Sequence, residues 1–306
     1  MKVRTRLTRL LIWCSVWLCG CQTYDSQKEE LPDTPNRGTI HISADESFKP
    51  IVDELVKVYE SNFRGTHIIV HYKPEAECFK DFWVDSIRMV IATRGYNPDE
   101  RSLMVDSMKV SPEKMIVARD AIAVIVNPRS PDSLFTMPEL IQLLKGNLKR
   151  NLIPVFDGVK ATSTVRFIID SILHGDSLTP NAVAARTSEK VIEYISQTPD
   201  AVGFIGVSWV GNQDDSAQLS FLKKIRIAAL ESTDKPGRYV KPYQANIYTR
   251  RYPMVRDLVY ILKENHKGLG HGFADFMSGE IGQKIFKRAY LFPAKMNLNI
   301  QVVRVN

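Results

Sequence analysis

The strongest constraint on this chain's fold is the order in which apolar patterns alternate between Gly38 and Gly95. Gly38-Thr39-Ile40-His41-Ile42-Ser43 alternates with the period of a strand, and Ile51, Leu55, Val58 and Tyr59 then recur at helical spacing to about Asn62. Strand alternation returns at His67-Ile68-Ile69-Val70-His71-Tyr72, which puts both histidines on the polar side of that strand. Pro74-Glu75-Ala76-Glu77-Cys78 opens a helix over Phe79 to Ser86, and the apolar run Ile87–Ala92 ends in Thr93-Arg94-Gly95. Strands that alternate with helices and end in polar residues specify a parallel α/β sheet, with ligands beyond the strand C-termini.

The pattern continues downstream. Lys114 to Asn127 reads as one long apolar strand, and Thr136-Met137-Pro138-Glu139 starts a helix that Gly146 closes. Leu152–Phe156 is a strand, Val191–Ser196 a short helix and Ala201–Val207 a glycine-containing strand. Residues 211–218 read as a polar loop, Lys223–Leu230 as a strand and Tyr239–Tyr248 as an extended segment broken by Pro242. Val255, Leu258, Val259 and Leu262 predict a helix over Pro253–Glu264, followed by helices over 272–278 and 281–286. No internal repeat of fixed period is present.

Two places in this order have anion-binding chemistry. Thr162-Ser163-Thr164 stands just ahead of Val165, Ile168, Ile169 and Ile172, so a hydroxyl caps a helix whose first N–H groups lack intrahelical acceptors. Those N–H groups, the dipole and the hydroxyls together suit an oxyanion, although an ordinary capped surface helix has the same pattern. Ser47, read as an N-cap with Pro50 in the first turn, repeats the geometry after the first strand. Arg94 at a strand end either forks onto an oxyanion or pairs with Asp99 or Glu100.

The chain of 306 residues carries a net charge of +7, but Lys2, Arg4, Arg6 and Arg9 precede the first acid at Asp25. The mildly basic remainder gives weak grounds for nucleic-acid binding, and none is expected. The basic start, the short apolar run Leu10–Leu18 and the end Leu18-Cys19-Gly20-Cys21 describe a signal peptide over residues 1–20. That end resembles the bacterial lipobox, which implies a lipoprotein acylated on Cys21, by a chain such as palmitate, and held to a bilayer outside the cytoplasm. Residues 21–38, polar and proline-containing, read as a flexible tether. With Cys14 and Cys19 removed and Cys21 lipidated, Cys78 has no partner for a disulfide. No Cys/His spacing suits zinc; neither metal nor cofactor is expected.

The order of motifs resembles the PstS-like phosphate-binding proteins of ABC transporters, type 2 periplasmic binding proteins. Ser47-Phe48 stand at the family's opening strand-to-helix junction, and Ile122–Pro128 resembles its entry into the second lobe. Ala201-Val202-Gly203-Phe204-Ile205-Gly206 resembles a signature strand, and Tyr252-Pro253-Met254 with Arg256, then Gly272-Phe273 and Gly282–Ile285, its C-terminal signature. The resemblance implies an α/β fold of two lobes, each a mainly parallel sheet flanked by helices, joined by crossing hinge strands. It places lobe one at residues 39–120 with 238–306, and lobe two at 121–237. It implies capture of phosphate or a similar oxyanion for an ABC permease, with no enzymatic activity, by Ser43, Ser47, Phe48 and Arg94 facing Thr162, Ser163 and Thr164. The chain departs from the pattern in four places, one being Pro74-Glu75-Ala76-Glu77 where the family has a Ser-rich loop, whose two carboxylates would repel a phosphate if they faced the cleft. Ser163 replaces a glycine, Gly158 replaces an arginine whose charge Lys160 or Arg166 would have to supply, and no acid lies near Thr93-Arg94. Those departures favour an alternative on the same fold, a scaffold or sensor that binds another ligand or a protein.

Overall fold

The computed structural model describes residues 33–295, apart from 110, 159, 161 and 213. The signal peptide, Cys21 and most of the tether lie outside the described residues. Asp33 to Arg37, expected as tether, are pinned: buried Asp33 accepts from the Leu269 N–H and from Arg88 Nη2, and Tyr59 Oη donates to the Pro35 carbonyl.

In chain order the first elements are β1 (Gly38–Asp45), a 3-10 turn (Glu46–Phe48), α1 (Lys49–Asn62), β2 (Thr66–Lys73), α2 (Glu75–Asp81), β3 (Ile87–Ala92), α3 (Pro98–Leu103) and β4 (Glu113–Val126). The middle contains β5 (Leu134–Phe135), α4 (Met137–Lys145), β6 (Ile153–Phe156), α5 (Ser163–Phe167) running into a π turn (Ile168–Ile172), β7 (Val183–Ala184), α6 (Ser188–Gln197) and β8 (Ala201–Gly206). The last part contains α7 (Ser216–Leu222), β9 (Arg226–Ile227), β10 (Ala229–Glu231), β11 (Tyr239–Val240), α8 (Gln244–Tyr248), β12 (Val255–Leu262), α9 (Leu269–Ser278), α10 (Glu280–Arg288) and β13 (Phe292–Pro293).

The main sheet is ten-stranded, ordered β2-β1-β3-β12-β4-β8-β6-β7, with β9 and β13 also pairing to β4. Pairing is parallel in the outer parts, β2-β1-β3 and β8-β6-β7, and antiparallel where β12, β4 and β8 meet. Long β4 joins the two halves. Its first part lies against β12, and from Ile122 onward it lies against β8. This fits the two-lobed expectation, since β4 is the crossing strand. One apolar core runs through both halves, from Ile42 and Phe48 to Phe156 and Phe204, and a second lies under α6 around Val191 and Ile195. Thr136 and Glu139 form the capping box that starts α4, and Gly146 ends it in the left-handed region at φ 76°.

Several expectations fail locally. Pro253–Glu264 is not a helix: Val255–Leu262 is strand β12, buried between β3 and β4. A strand covered on both faces loses polar alternation, so its apolar positions matched helical spacing by chance. The extended reading of Tyr239–Tyr248 gives way after β11 to α8, and the polar loop at 211–218 already contains the start of α7, capped by Asp215. Lys223–Leu230 is two short strands, not one. The helix expected over Phe79–Ser86 lies earlier, as α2. Ser47 is not an N-cap: Asp45 caps the 3-10 turn by accepting from the Ser47 N–H, and α1 follows Phe48 without a side-chain cap. Among the described residues no helix is long and apolar enough to cross a membrane.

Candidate functional site

The carboxyl ends of β1, β3, β6 and β8 converge, as open α/β sheets require of a ligand site. After β1 the 3-10 turn brings Ser47 inward, fully buried. Its carbonyl accepts from Ser208 Oγ at 3.1 Å and Trp209 Nε1 at 3.0 Å, both just beyond β8. After β6 come Asp157 and the helix start. Thr162 caps α5 by accepting from the Val165 N–H at 3.3 Å, and Ser163 and Thr164 are fully buried. Ser47 Oγ lies 3.3 Å from Ser163 Oγ and donates to Asp157 Oδ2 at 3.4 Å. The two hydroxyl segments picked out in the sequence therefore meet, from opposite halves of the sheet.

The positive charge at this junction comes from Arg256 on β12. Its Nη1 donates to Ser163 Oγ at 2.9 Å, and its Nε donates to Asp120 Oδ2 on β4 at 2.8 Å. Arg256 and Asp120 are directly opposed in the β12–β4 register. The guanidinium lies 5.0 Å from the centre of the Phe48 ring, which is where the structure places that aromatic. Gly206 permits this packing: a Cβ there would lie 3.2 Å from the Ser47 carbonyl and 3.3 Å from Arg256 Nη2. Arg166 pairs with Glu75 and Asp170, and Lys160 is exposed. Gly158 has little room for the family arginine, because a Cβ there would fall 2.9 Å from Thr162 Cγ2.

The cluster is rich in acid. Asp45, Asp120 and Asp157 are buried, and one oxygen of each has no hydrogen-bond partner; Arg256 Nη2 and Thr164 Oγ1 are likewise buried and unpartnered. Burial, reinforced by the nearby Glu75 charge and opposed by Arg256, pushes Asp45 up to about 7. Burial and the Asp157 charge push Glu46 up to about 7 as well. Asp157 and Asp120 are raised by burial, against the pull of Arg256. The cluster therefore takes up protons near neutrality.

Further contacts tie the halves together. Glu46 accepts from the Ser188 N–H at 3.2 Å and from Ser188 Oγ at 3.1 Å, at the start of α6. Glu75 at the start of α2 accepts from Thr93 N–H at 2.8 Å, from Thr93 Oγ1 at 2.6 Å and from Arg166 Nε at 2.5 Å. Arg166 Nη2 donates to Thr93 Oγ1 at 2.6 Å. Burial alone would raise the Glu75 pKa, but Arg166 and the Thr93 donors hold it below the ordinary value. Glu75 thus lies beside Thr93 in space, with one oxygen held by Thr93 and the other by Arg166.

Two expected residues stand apart from the cluster. Ser43 Oγ donates to Asp81 Oδ2 at 2.5 Å, beside Lys73. Arg94 forks onto Glu100 at 2.8 and 2.9 Å and lies 3.6 Å from the Phe79 ring centre, so of its two sequence readings the ion pair is the one formed. Sequence reasoning missed Asp45, Asp120, Asp157 and Arg256 as site residues. Arg256 stood in the C-terminal signature without a site role, and the aspartates showed only as lone acids next to or within apolar strands. Among the described residues no group of three or more His, Cys, Asp or Glu side chains is placed to hold a metal ion.

Known proteins resemble this chain in sequence and fold. The phosphate-binding protein PstS of Borreliella burgdorferi is 20% identical over 284 residues, covering 88% of this chain and 91% of that protein. A phosphate-bound substrate-binding protein from Clostridium perfringens superposes with a TM-score of 0.70 at 17% identity, covering 84% of this chain and 100% of that one. An ABC-type phosphate transport receptor from Vibrio cholerae gives 0.61 at 17% identity, covering 83% and 99%. At such identities the structural likeness shows the fold, the two-lobed type 2 periplasmic-binding-protein fold. A family model described as a PBP superfamily domain matches residues 31–280, most of the chain, and by that match the chain belongs to the PBP superfamily.

Proposed function

We propose that the protein is an extracytoplasmic solute-binding protein that captures phosphate or a similar oxyanion between two lobes for uptake by an ABC transporter. The lobes are residues 39–120 with 238–306, and 121–237. The observation that carries the reading is the meeting of Ser47 and Ser163 around Arg256, with Arg256 Nη2 and Thr164 Oγ1 buried and unpartnered. A buried donor without an acceptor costs roughly 1–3 kcal/mol, more for a charged group, and an oxyanion relieves that cost. The names of the relatives support the same ligand. Binding is the whole of the proposed chemistry, since neither Ser47 nor Ser163 has a histidine base among its hydrogen-bond partners.

The carboxylates define which oxyanion fits. Unpartnered oxygens of Asp45, Asp120 and Asp157 need donors, and a protonated phosphate has hydroxyls to give. Sulfate at neutral pH has none and would meet like charge. Acylation at Cys21 would hold the protein to a membrane after loss of residues 1–20, with the permease as partner. Mass spectrometry of the N-terminal peptide tests that part.

A second reading has its own observation. Side chains of the two halves bond directly to each other through Ser47–Ser163, Glu46–Ser188 and Glu75–Arg166. Such direct bonding favours a non-transport scaffold or sensor on the same fold. Calorimetric titration of the purified protein with phosphate, arsenate and sulfate separates the readings; a saturable heat with phosphate supports capture, and silence with all three supports the scaffold.

A further inference from the structure

A pocket separate from the Ser47–Ser163 cluster opens beside β9 and the turn before α8. It encloses about 250 Å³, and Ile225, Arg226, Lys241, Pro242, Tyr243 and Tyr290 are among its lining residues. Among the described residues no acid lines it. Arg226 Nη2 donates to the Ser130 carbonyl at 2.6 Å, which fixes the guanidinium, while Arg226 Nε is buried without a partner. Tyr290 also lines the pocket; it ends α10 in the left-handed region at φ 66°, with the Leu291 N–H donating to the Phe286 carbonyl, which fixes where its ring stands. Gly211 permits the tyrosine's position, since a Cβ there would come within 2.6 Å of Tyr290 Cβ.

We propose that this pocket is a second ligand site, for a small amphipathic carboxylate with one aromatic ring. The carboxylate pairs with Arg226, with Lys241 adding charge, and the ring packs against Pro242, Ile225 and the two tyrosines. An inorganic oxyanion would satisfy the guanidinium but leave the aliphatic wall against water. A neutral hydrocarbon would cover the wall but leave the guanidinium N–H unpaired, the costlier failure. The volume is below the roughly 300–1,000 Å³ of common ligand sites, which restricts the occupant to one ring. None of these residues belongs to the oxyanion cluster, so the two sites are separable by mutation.

Benzoate is the probe. Titration of the purified protein, followed by heat and by the ring resonances of Tyr243 and Tyr290, is expected to saturate at one equivalent. Benzyl alcohol is expected to bind about tenfold or more weakly, and Arg226→Gln to weaken benzoate by a similar factor. Phosphate titration of Arg226→Gln should match the parent. If that variant does not fold, Lys241→Gln and Tyr243→Ala decide the matter, because both side chains are partly exposed and each is expected to weaken benzoate about threefold or more. Absence of saturation, equal binding of benzyl alcohol, or unchanged benzoate binding in the folded variants would overturn the site.

Discussion

Glu75→Gln is the sharpest perturbation of the closed cleft. Glu75 is buried, and it accepts three hydrogen bonds, two from Thr93 and one from Arg166 of the facing half. Glutamine keeps the volume and one acceptor but turns its NH2 toward the Arg166 N–H, donor against donor. Breaking a fully buried pair costs about 3–5 kcal/mol. Arg166 is 31% exposed and keeps Thr93 Oγ1 and Asp170 as partners, so roughly 2 kcal/mol is the reasonable figure here. That penalty falls on closure rather than on folding, because an open cleft lets Arg166 reach water. A shift of this size is close to thirtyfold in the closed-to-open ratio, and ligand affinity should fall by up to the same factor. Spin labels at exposed Lys57 on α1 and Lys190 on α6 would report the distance between halves. Glu75→Gln is expected to add a longer-distance population without ligand, to lose it on phosphate saturation, and to lower the thermal midpoint little. An unchanged distance distribution with a midpoint several degrees lower would refute the latch and make the pair purely structural.

Other perturbations follow from the same contacts. Arg256→Gln strands Asp120 at zero exposure and should cost about 3–5 kcal/mol, a midpoint drop on the order of 10 °C in a thermal melt; the double variant with Asp120→Asn should recover part of it. Ser163→Ala removes the hydroxyl joining Ser47 to Arg256 and should weaken phosphate about tenfold by calorimetry; it also leaves buried Arg256 Nη1 without an acceptor, a stability cost of roughly 1–3 kcal/mol in a thermal melt. The pH profile has a definite sign: Asp45 and Glu46 are raised to about 7 in the folded protein, so it binds more protons than the unfolded chain. Stability from these groups is complete below their unfolded values and is lost as pH rises from about 4 to about 7. Thermal midpoints should accordingly decline as pH rises through that window.

Much of the fold was legible because strands and helices alternate with clear periods and caps. The strands β1, β2, β3, β4, β6 and β8 fall where alternation or apolar runs place them, and Thr136-Glu139 with Gly146 marks α4. Strand β12 was illegible because burial on both faces erased its alternation, and its β-branched Val255, Val259 and Ile261 were the overlooked signal. Thr162 was legible for a local reason, a Thr ahead of a helical pattern implying a cap, while Ser47 was picked out by the same rule although Asp45 is the residue that caps there. The charged half of the site was not legible. Arg256 meets Asp120 only through the β12–β4 register, and Asp157 meets Ser47 across 110 residues of chain. Arg94 shows the converse: a local acid, Glu100, takes the charge that strand-end position suggested for a ligand.

The central claim rests on whether this acid-rich cluster around Arg256 holds a protonated oxyanion. Calorimetry with phosphate and sulfate, at about pH 6 and about pH 8, tests it most directly, because lower pH protonates both phosphate and the raised carboxyls. The expected result is one site for phosphate, tighter at the lower pH, and no heat with sulfate at about pH 8, where the carboxylates are charged. No heat and no thermal shift with phosphate at either pH, or equal binding of sulfate, would contradict it.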